Sequence, residues 1–527
     1  MNLKTKLLNP GESRKSKFFS MNFKTEKSFL SRKFFPLPLF PYLILGACLI
    51  AALNVSGREL ALRIIQTSDL HGSVDHGRLA RIAALVERET AAAGGPEKSL
   101  RLDCGDLVQG SYAMTQPEGR ALMIQVLNRL GFDVFVPGNH DFEFGSGILL
   151  PLLRQFRGSV LALNLEWPGA PVRPWQCFRR NGLNIAVIGI AYPSLDKMFL
   201  PSVLGRARPL PVGEQLDRII PEVMRSRPDV IVLAVHAGEQ TLFGPRFTLY
   251  DLIRKYPQVD LVLCGHSHQP EAGSALGRSS WRMQPPALAN GIALADISFD
   301  TEKKRIVSLK SRLVLIDGVP EHAGIRKLVR SVSGRTFRHS RQPVADLPFP
   351  LRPPNKNEYS SKLTELYGNA IMAATGAEIV FYGVNSRFQT DPGILTRYQL
   401  YRLMPYADHP VTVDLSADEI FRILAEQIAV RRKNGAFLAP AGIRFVLSRR
   451  NNLRSVTLGA TGQPLESGRL YRTAFSSYVF AGSGRAPVLH EIVKNKKYQT
   501  LPQTTCEVVE SFLMKNYPEK SKYRSEK

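Results

Sequence analysis

Five short segments of this chain place side chains that bind hard metal ions directly after apolar, β-branched runs. The segments are Thr67–His71, Cys104–Asp106, Gly138–Asp141, Val235–Gly238 and Cys264–His268. The runs that precede them are Leu62–Ile65, Leu100–Leu102, Phe132–Val136, Val230–Val235 and Leu261–Leu263. Each run predicts a buried strand. Because rigid strands hold the residues at their ends in fixed positions, we expect the polar side chains to gather at one sheet edge.

These segments supply seven candidate metal ligands of mixed type, which are Asp69, His71, Asp106, Asn139, His236, His266 and His268. Carboxylate, imidazole and amide-oxygen ligands suit Zn, Mn or Fe. Seven are too many for one ion and fit two ions that share a carboxylate. Two divalent cations about 3.5–4 Å apart activate a water and clamp the oxygens of a phosphoryl displacement. The pattern therefore predicts a two-metal hydrolytic centre.

The order of these motifs resembles a known family. Asp-x-His, Gly-Asp, Gly-Asn-His, His-x-Gly and Gly-His-x-His in succession are similar to the calcineurin-like metallophosphoesterases. Within them the chain resembles the bacterial 5′-nucleotidase, UDP-sugar hydrolase and 2′,3′-cyclic phosphodiesterase group, and Gly77–Leu85 matches as well. The resemblance implies an α/β fold, with an N-terminal four-layer αββα sandwich and a C-terminal α+β substrate domain.

The resemblance also implies roles for the motif residues. One metal would be held by Asp69, His71, Asp106 and His268. Asp106 would bridge to a second metal that is completed by Asn139, His236 and His266. His140 would stabilise the transferring phosphoryl group or protonate the leaving oxygen. An acidic residue would orient His140, and both Asp141 and Glu143 are candidates.

The predicted organisation has a leader, two domains and a linker. Residues 1–56 are expected to be a signal peptide or an anchor, 60–318 the catalytic domain, 319–354 the linker and 355–527 the substrate domain. The linker prediction rests on a polar segment followed by five prolines between 341 and 354. Periodicity predicts helices at Arg78–Ala91, Gly119–Leu130, Gly145–Phe156, Gly213–Arg225 and Ser360–Thr375.

The N-terminus has the layout of a targeting segment. A basic stretch, Lys4–Lys33, precedes the apolar stretch Phe34–Val55. Met21 is an alternative start. Leu45–Cys48 resembles a bacterial lipobox, which would make Cys48 the lipidated first residue. Lipidation, cleaved secretion and an uncleaved anchor all remain open. Each of them predicts export, to the periplasm or to the outer side of the bacterial inner membrane.

The C-terminal half resembles the family's substrate domain, with departures. Arg387 aligns with the arginine of the substrate loop and is a phosphate-binding candidate, because guanidinium forks match phosphate oxygens. Phe437 aligns with the first of two base-stacking aromatics, and core packing is its alternative role. The second aromatic is missing, and Arg485 lies there instead. Arg485 could stack on a base, could meet a second phosphate or a sugar acid, or could be a solvated loop charge. Arg444 is a further, weaker candidate.

The composition limits the classes of partner that the protein is expected to bind. The net charge of +25 is explained either by solvated surface charge or by a bias towards anionic substrates. The chain has no stacking segment or zinc-finger spacing that indicates a nucleic-acid polymer. Three functions remain open. The first is hydrolysis of nucleotide-like phosphate esters. The second is the same centre acting on a sugar phosphate, a diphosphate or a sulfur analogue, and the third is a surface binding protein without turnover.

Overall fold

The computed structural model describes residues 59–239, 241–244, 247–384, 386–433, 436–450, 452–483 and 486–519. The predicted targeting segment with Cys48 lies outside the described residues, and so does Arg485. Within the described ranges, no helix combines the length and the apolar character needed to cross a bilayer.

The described strands of the first half form two large sheets and one separate two-stranded pair. In chain order they are β1 (Glu59–Thr67), β2 (Ser99–Asp103), β3 (Val134–Phe135), β4 (Ser159–Leu161), β5 (Leu165–Glu166), β6 (Val172–Arg173), β7 (Trp175–Arg180), β8 (Leu183–Ile190), β9 (Arg208–Pro209), β10 (Val230–Val235), β11 (Leu261–Leu263), β12 (Glu271–Leu276), β13 (Ser280–Gln284), β14 (Gly291–Asp300) and β15 (Arg305–Leu315). One sheet has the order β15-β14-β1-β2-β3-β4-β6 and the other β12-β13-β11-β10-β8-β7. In each sheet the central strands are parallel.

Seven helices accompany these strands in the described part of the chain. They are α1 (Arg78–Ala92), α2 (Pro117–Arg129), α3 (Ser146–Gln155), α4 (Pro201–Leu204), α5 (Val212–Arg225), α6 (Leu249–Lys255) and α7 (Ala323–Ser340).

Strand β10 explains why the layers stack as they do. All six of its residues are buried, and successive side chains point to opposite faces. Val230 and Val232 pack in the core between the two sheets, whereas Ile231 and Leu233 pack under the helices. A strand covered on both faces needs a continuous apolar run, which is the pattern the sequence has. The four-layer αββα arrangement is confirmed.

The second half is built around one mixed sheet. The described strands of the second half are β16 (Pro343–Leu347), β17 (Ile379–Gly383), β18 (Gly393–Thr396), β19 (Pro410–Ser416), β20 (Leu438–Ala441), β21 (Ile443–Leu447), β22 (Leu453–Leu458), β23 (Leu470–Ser476) and β24 (Tyr498–Thr500). Its helices are α8 (Lys362–Thr375), α9 (Arg397–Leu403), α10 (Ala417–Arg432), α11 (Ser477–Ala481), α12 (Pro487–Val493) and α13 (Thr505–Asn516). The main sheet has the order β20-β17-β23-β19-β24, with helices on both faces. The predicted α+β character is confirmed.

The segment between the halves is more structured than a bare linker. Helix α7 occupies much of residues 319–354 and buries Ile325, Val329 and Val332 in the core shared with α1 and α2. Strand β16 follows and pairs with β18 of the second half. The domain limits inferred from composition stay a prediction, and the helix packs with the first half.

Candidate metal centre

The carboxyl ends of five strands bring the candidate ligands together. In one sheet, β1 precedes Asp69 and His71, β2 precedes Asp106, and β3 precedes Asn139. In the other sheet, β10 precedes His236, and β11 precedes His266 and His268. The ligand atoms form two groups, and within each group they lie within 4.8 Å of one another. The first group is Asp69, His71, Asp106 and His268, and the second is Asp106, His236 and His266. Asp106 belongs to both groups, so its carboxylate lies where a bridging ligand must lie.

The backbone at these ligands is unusual. Five of them have positive φ angles, at Asp69 (54°), His71 (47°), Asp106 (56°), His266 (69°) and His268 (55°). Residues other than glycine seldom adopt this left-handed region, and such residues cluster at functional sites. These five residues follow β1, β2 and β11, where the chain turns sharply and aims their side chains into the centre. Each turn is strained, so the surrounding contacts must hold it.

One carboxylate organises two of the loops. The Asp141 side chain accepts hydrogen bonds from the backbone N–H groups of Asp106 (3.0 Å), Leu107 (2.9 Å), Val108 (3.2 Å) and Gly138 (2.7 Å). Burial, and secondly the Asp106 charge, raises the pKa of Asp141 to about 6 despite these bonds. The side chain therefore ties the loop after β2 to the loop after β3, and its oxygens face backbone amides.

Two glycines allow these loops to touch. A Cβ on Gly138 would lie 2.3 Å from Asp106 Oδ1 and 2.7 Å from His236 Cε1. Gly105 has a φ of +90°, and a Cβ there would lie 2.4 Å from the Gly138 nitrogen. Both positions therefore require glycine for close approach.

Backbone carbonyls set the tautomers of two histidines. His71 Nδ1 lies 3.1 Å from the Gln109 carbonyl oxygen, and His236 Nδ1 lies 2.5 Å from that of Cys104. A carbonyl only accepts, so each Nδ1 must donate, and Nε2 keeps a lone pair in the neutral ring. Metal-binding histidines are commonly oriented in this way. These carbonyl partners give no signal in the sequence, because backbone carbonyls are present at every residue.

The electrostatics of the cluster favour cations. Burial favours the neutral acid, but the neighbouring imidazoles outweigh it and lower the pKa of Asp106 well below its ordinary value. Burial also opposes protonation of His236, yet the Asp106 charge raises its pKa to about 10. For His266, burial and the charge of His236 lower the pKa to about 4. Protons and metal ions compete for the same imidazole nitrogens.

Short contacts between ligand atoms show that the residues fit metal ions. His71 Nε2 and His268 Nε2 lie 3.0 Å apart. Asn139 Oδ1 lies 3.2 Å from His236 Nε2 and 2.9 Å from His266 Nδ1, while its own Nδ2 is buried without a hydrogen-bond partner. Converging donor atoms of this kind suit Zn, Mn or Fe, which accept imidazole and oxygen ligands together.

His140 lies beside the cluster with an acidic partner. Its Nδ1 lies 2.9 Å from Glu143 Oε2, and its ring centroid lies 5.4 Å from that of His71. Burial lowers the pKa of His140, but the Asp106 charge and the Glu143 hydrogen bond outweigh this and raise it to about 9. Of the two acidic candidates, Glu143 contacts the His140 ring and Asp141 contacts backbone.

The second domain reaches the same histidine. The Tyr406 ring stacks on His140 with centroids 6.0 Å apart and an interplanar angle of 22°. The Ala407 N–H donates to Glu143 Oε1 at 2.8 Å. Neither Tyr406 nor Ala407 is among the site residues predicted from the sequence. No signal in one sequence predicts a contact that depends on how two domains dock.

The three predicted substrate residues that the structure describes lie elsewhere in this arrangement. The Phe437 ring packs edge-on against Tyr359 and beneath the Arg431 guanidinium, 4.4 Å from its carbon. Arg387 is exposed after β17, and Arg444 is exposed on β21. Among the described contacts, none joins these three residues to the metal ligands. Their role in substrate binding stays a prediction.

Comparison with known proteins gives a consistent result. Residues 62–270 match the calcineurin-like phosphoesterase family, and residues 343–491 match the 5′-nucleotidase C-terminal domain. Protein UshA of Escherichia coli is 22% identical over 527 residues, which covers 87% of this chain and 91% of UshA. A 5′-nucleotidase of Vibrio vulnificus is also 22% identical, over 521 residues with the same coverage.

A solved structure supports the fold. A putative 5′-nucleotidase from Staphylococcus aureus superposes with a TM-score of 0.71 at 15% sequence identity, covering 87% of this chain and 98% of its own. The two matched regions occur in the same order as the two halves described above. The chain is a phosphoester hydrolase that belongs to the calcineurin-like metallophosphoesterases, in the two-domain 5′-nucleotidase group.

Proposed function

We propose that this protein is an exported hydrolase of nucleotide-type phosphate esters that works with two divalent metal ions, such as Mn or Zn. The observation that carries the proposal is the position of Asp106, whose carboxylate is shared by both groups of ligand atoms. The Vibrio vulnificus relative named 5′-nucleotidase supports the substrate class.

The roles we propose follow the geometry. The metals, when bound, supply an activated water and neutralise charge on the phosphoryl oxygens. Asp69, His71, Asp106, Asn139, His236, His266 and His268 hold them. Since Glu143 occupies His140 Nδ1 at 2.9 Å, Nε2 is the nitrogen of His140 that is free to donate a proton. It donates to the leaving oxygen or bonds a phosphoryl oxygen, and such groups contribute about 10²–10⁴-fold to rate.

Metal stoichiometry tests the bridge. We expect Asp106→Gly to lose both ions and Asp69→Gly to lose one, because Asp106 belongs to both groups and Asp69 to one. Glycine is chosen because both residues have positive φ, which glycine adopts without strain. Mass spectrometry of the metal content after loading with Mn²⁺ measures the result. If Asp106→Gly retains two ions per chain, the bridge assignment is wrong.

Phosphate release tests the substrate class. The Mn²⁺-loaded chain from about residue 57 onward is assayed with 5′-AMP, UDP-glucose, 2′,3′-cyclic AMP, sugar phosphates and an aryl phosphate. We expect a nucleotide to be preferred. Preference for the sugar or aryl compounds over every nucleotide would favour a non-nucleotide substrate. If no phosphate is released from any of these compounds, the result would favour a binding protein.

For the N-terminus we propose export, with the body periplasmic or held at the outer side of the inner membrane. The basic and apolar stretches of residues 4–55 support this proposal. Metabolic labelling with radioactive palmitate tests lipidation at Cys48. Labelling that Cys48→Ser abolishes supports the lipoprotein. Its absence leaves a cleaved signal or an uncleaved anchor, which the mass of the mature chain distinguishes.

A further inference from the structure

A cavity of about 370 Å³ lies between the two domains, directly beside His140. The first domain contributes His140, Glu143, Met198, Phe199 and Val203, and the second contributes Tyr406 to Asp408 with Ser477 and Tyr478. Small-molecule pockets occupy about 300–1,000 Å³, so this one accommodates a compact organic group. Of the residues predicted to bind substrate, the three that the structure describes, Arg387, Phe437 and Arg444, do not line it.

The lining has two kinds of surface. Met198, Phe199 and Val203 form an apolar side, and the rings of Tyr406 and Tyr478 add aromatic surface. Aromatic and aliphatic side chains of this type hold flat rings by packing and stacking. This part of the cavity therefore favours a planar or apolar portion of a ligand.

Asp408 gives the cavity a hydrogen-bond acceptor. The Tyr478 N–H donates to its carboxyl group, and a carboxylate offers about four acceptor positions. Burial, assisted by the Glu143 charge, raises the pKa of Asp408 to about 7. The Glu143 carboxylate already accepts from His140 and Ala407, whereas the Asp408 side chain has one described donor, so Asp408 has more capacity left for a ligand. It suits a hydroxyl or amino donor.

The cavity is poorly suited to a second phosphate. Among its described lining residues, His140 is the one basic side chain, and Glu143 already pairs with it. Two acidic side chains would repel a further anion. A buried phosphate without a cationic partner is also costly. The lining therefore favours a neutral ligand.

We propose that this cavity binds the leaving group of the substrate, and that it selects a neutral nucleoside over a leaving group that carries another phosphate. The inference rests on the proposed phosphohydrolase function, because His140 is the residue placed to protonate the leaving oxygen. It deepens that function by favouring nucleoside monophosphates over diphosphates. The nucleoside lies against Tyr406 and Tyr478, whereas Phe437 is packed against Tyr359.

Two variants with matched controls test the cavity. Tyr478→Ala removes an aromatic face, and Tyr250→Ala removes a tyrosine that is 49% exposed on α6. Adenosine is the probe, because it carries no phosphate for the metal centre. Its binding is measured as the rise in melting temperature, and as inhibition of p-nitrophenyl phosphate hydrolysis. We expect about tenfold weaker adenosine binding in Tyr478→Ala, and unchanged inhibition by inorganic phosphate.

Asp408→Asn tests the charge without altering the shape. Above the pKa of Asp408, we expect the ratio of kcat/KM for ADP to that for AMP to rise about tenfold, because repulsion of the second phosphate is removed. Asp391→Asn, at an exposed loop position, is the control.

The outcomes separate the two proposals. Hydrolysis of p-nitrophenyl phosphate tests the phosphohydrolase, and the melting-temperature shift reports adenosine binding without turnover. Adenosine binding that is equal in Tyr478→Ala and the wild type, or an ADP to AMP ratio unchanged in Asp408→Asn, would overturn the cavity assignment. If Tyr478→Ala does not fold, the Asp408 ratio decides alone.

Discussion

The pair formed by His140 and Glu143 gives the sharpest prediction, through the substitution Glu143→Gln. In the wild type, Glu143 Oε2 contacts His140 Nδ1 at 2.9 Å, and Oε1 accepts the Ala407 N–H at 2.8 Å. When His140 Nδ1 carries its proton, both His140 and the Ala407 N–H donate hydrogen bonds to Glu143. A glutamine has one acceptor oxygen and one donor nitrogen. One of the two N–H groups must therefore lose its acceptor.

The size of the effect follows from that mismatch. A buried donor that is left unpaired costs about 1–3 kcal/mol. If the His140 contact is lost, this cost appears in the transition state as a fall in kcat of about 5- to 150-fold. If the Ala407 contact is lost instead, the glutamine keeps a neutral bond to His140. Neutral bonds are about half as strong as charge-assisted ones, so kcat still falls.

The assay is steady-state hydrolysis of p-nitrophenyl phosphate by the Mn²⁺-loaded enzyme, together with its metal content. We expect kcat to fall at least fivefold while two ions per chain remain, because Glu143 is in neither ligand group. Glu214→Gln, at an exposed position in α5, is the control. A wild-type kcat in Glu143→Gln would refute the role of Glu143, and loss of metal would show that it acts on the ligands.

Three further predictions concern other parts of the molecule. His140→Ala is expected to lower kcat at least a hundredfold with unchanged metal content, and normal phosphate release would exclude its catalytic role. Gly138→Ala places a Cβ 2.3 Å from Asp106 Oδ1 and should lower activity at least tenfold, whereas Gly147→Ala, with open space around it, should not. Burial raises the pKa of Asp260 to about 6, so the folded state binds this proton more tightly than the unfolded state. The contribution of Asp260 protonation to the free energy of unfolding is fully present below about pH 4 and is lost as the pH rises through 6. Asp260→Asn should therefore gain up to about 3 kcal/mol relative to wild type at pH 7, but nothing at pH 4, in urea unfolding. An equal difference at both pH values would contradict the assignment.

The sequence predicted the regular elements of the first domain well. Helix α1 was expected at Arg78–Ala91 and extends over Arg78–Ala92, and α5 was expected at Gly213–Arg225 and begins at Val212. Amphipathic periodicity works here because each helix buries one face on a sheet that is itself apolar. The family resemblance and the fold class are confirmed by the matched regions.

Features that depend on long-range geometry were not predictable. The left-handed backbone at Asp69 and His266 cannot be predicted from the sequence, because neither residue is the glycine that usually indicates it. The contact of Tyr406 with His140 depends on domain docking, and periodicity carries no information about docking. Phe437 was selected by motif alignment, which does not report that Tyr359 and Arg431 pack against the ring. The assigned roles of the site residues stay predictions until the variants are measured.

The division of the ligands between two sheets has a consequence for folding. Asp69 and Asp106 follow strands of one sheet, and His236 and His266 follow strands of the other. Ions bound by both sets cross-link segments more than a hundred residues apart in the chain, as a disulfide does. Closing a loop of about 100 residues in this way restricts the unfolded chain by about 4.7 kcal/mol. The centre can form only after the sheets have docked, so metal uptake during refolding reports the completion of the sandwich.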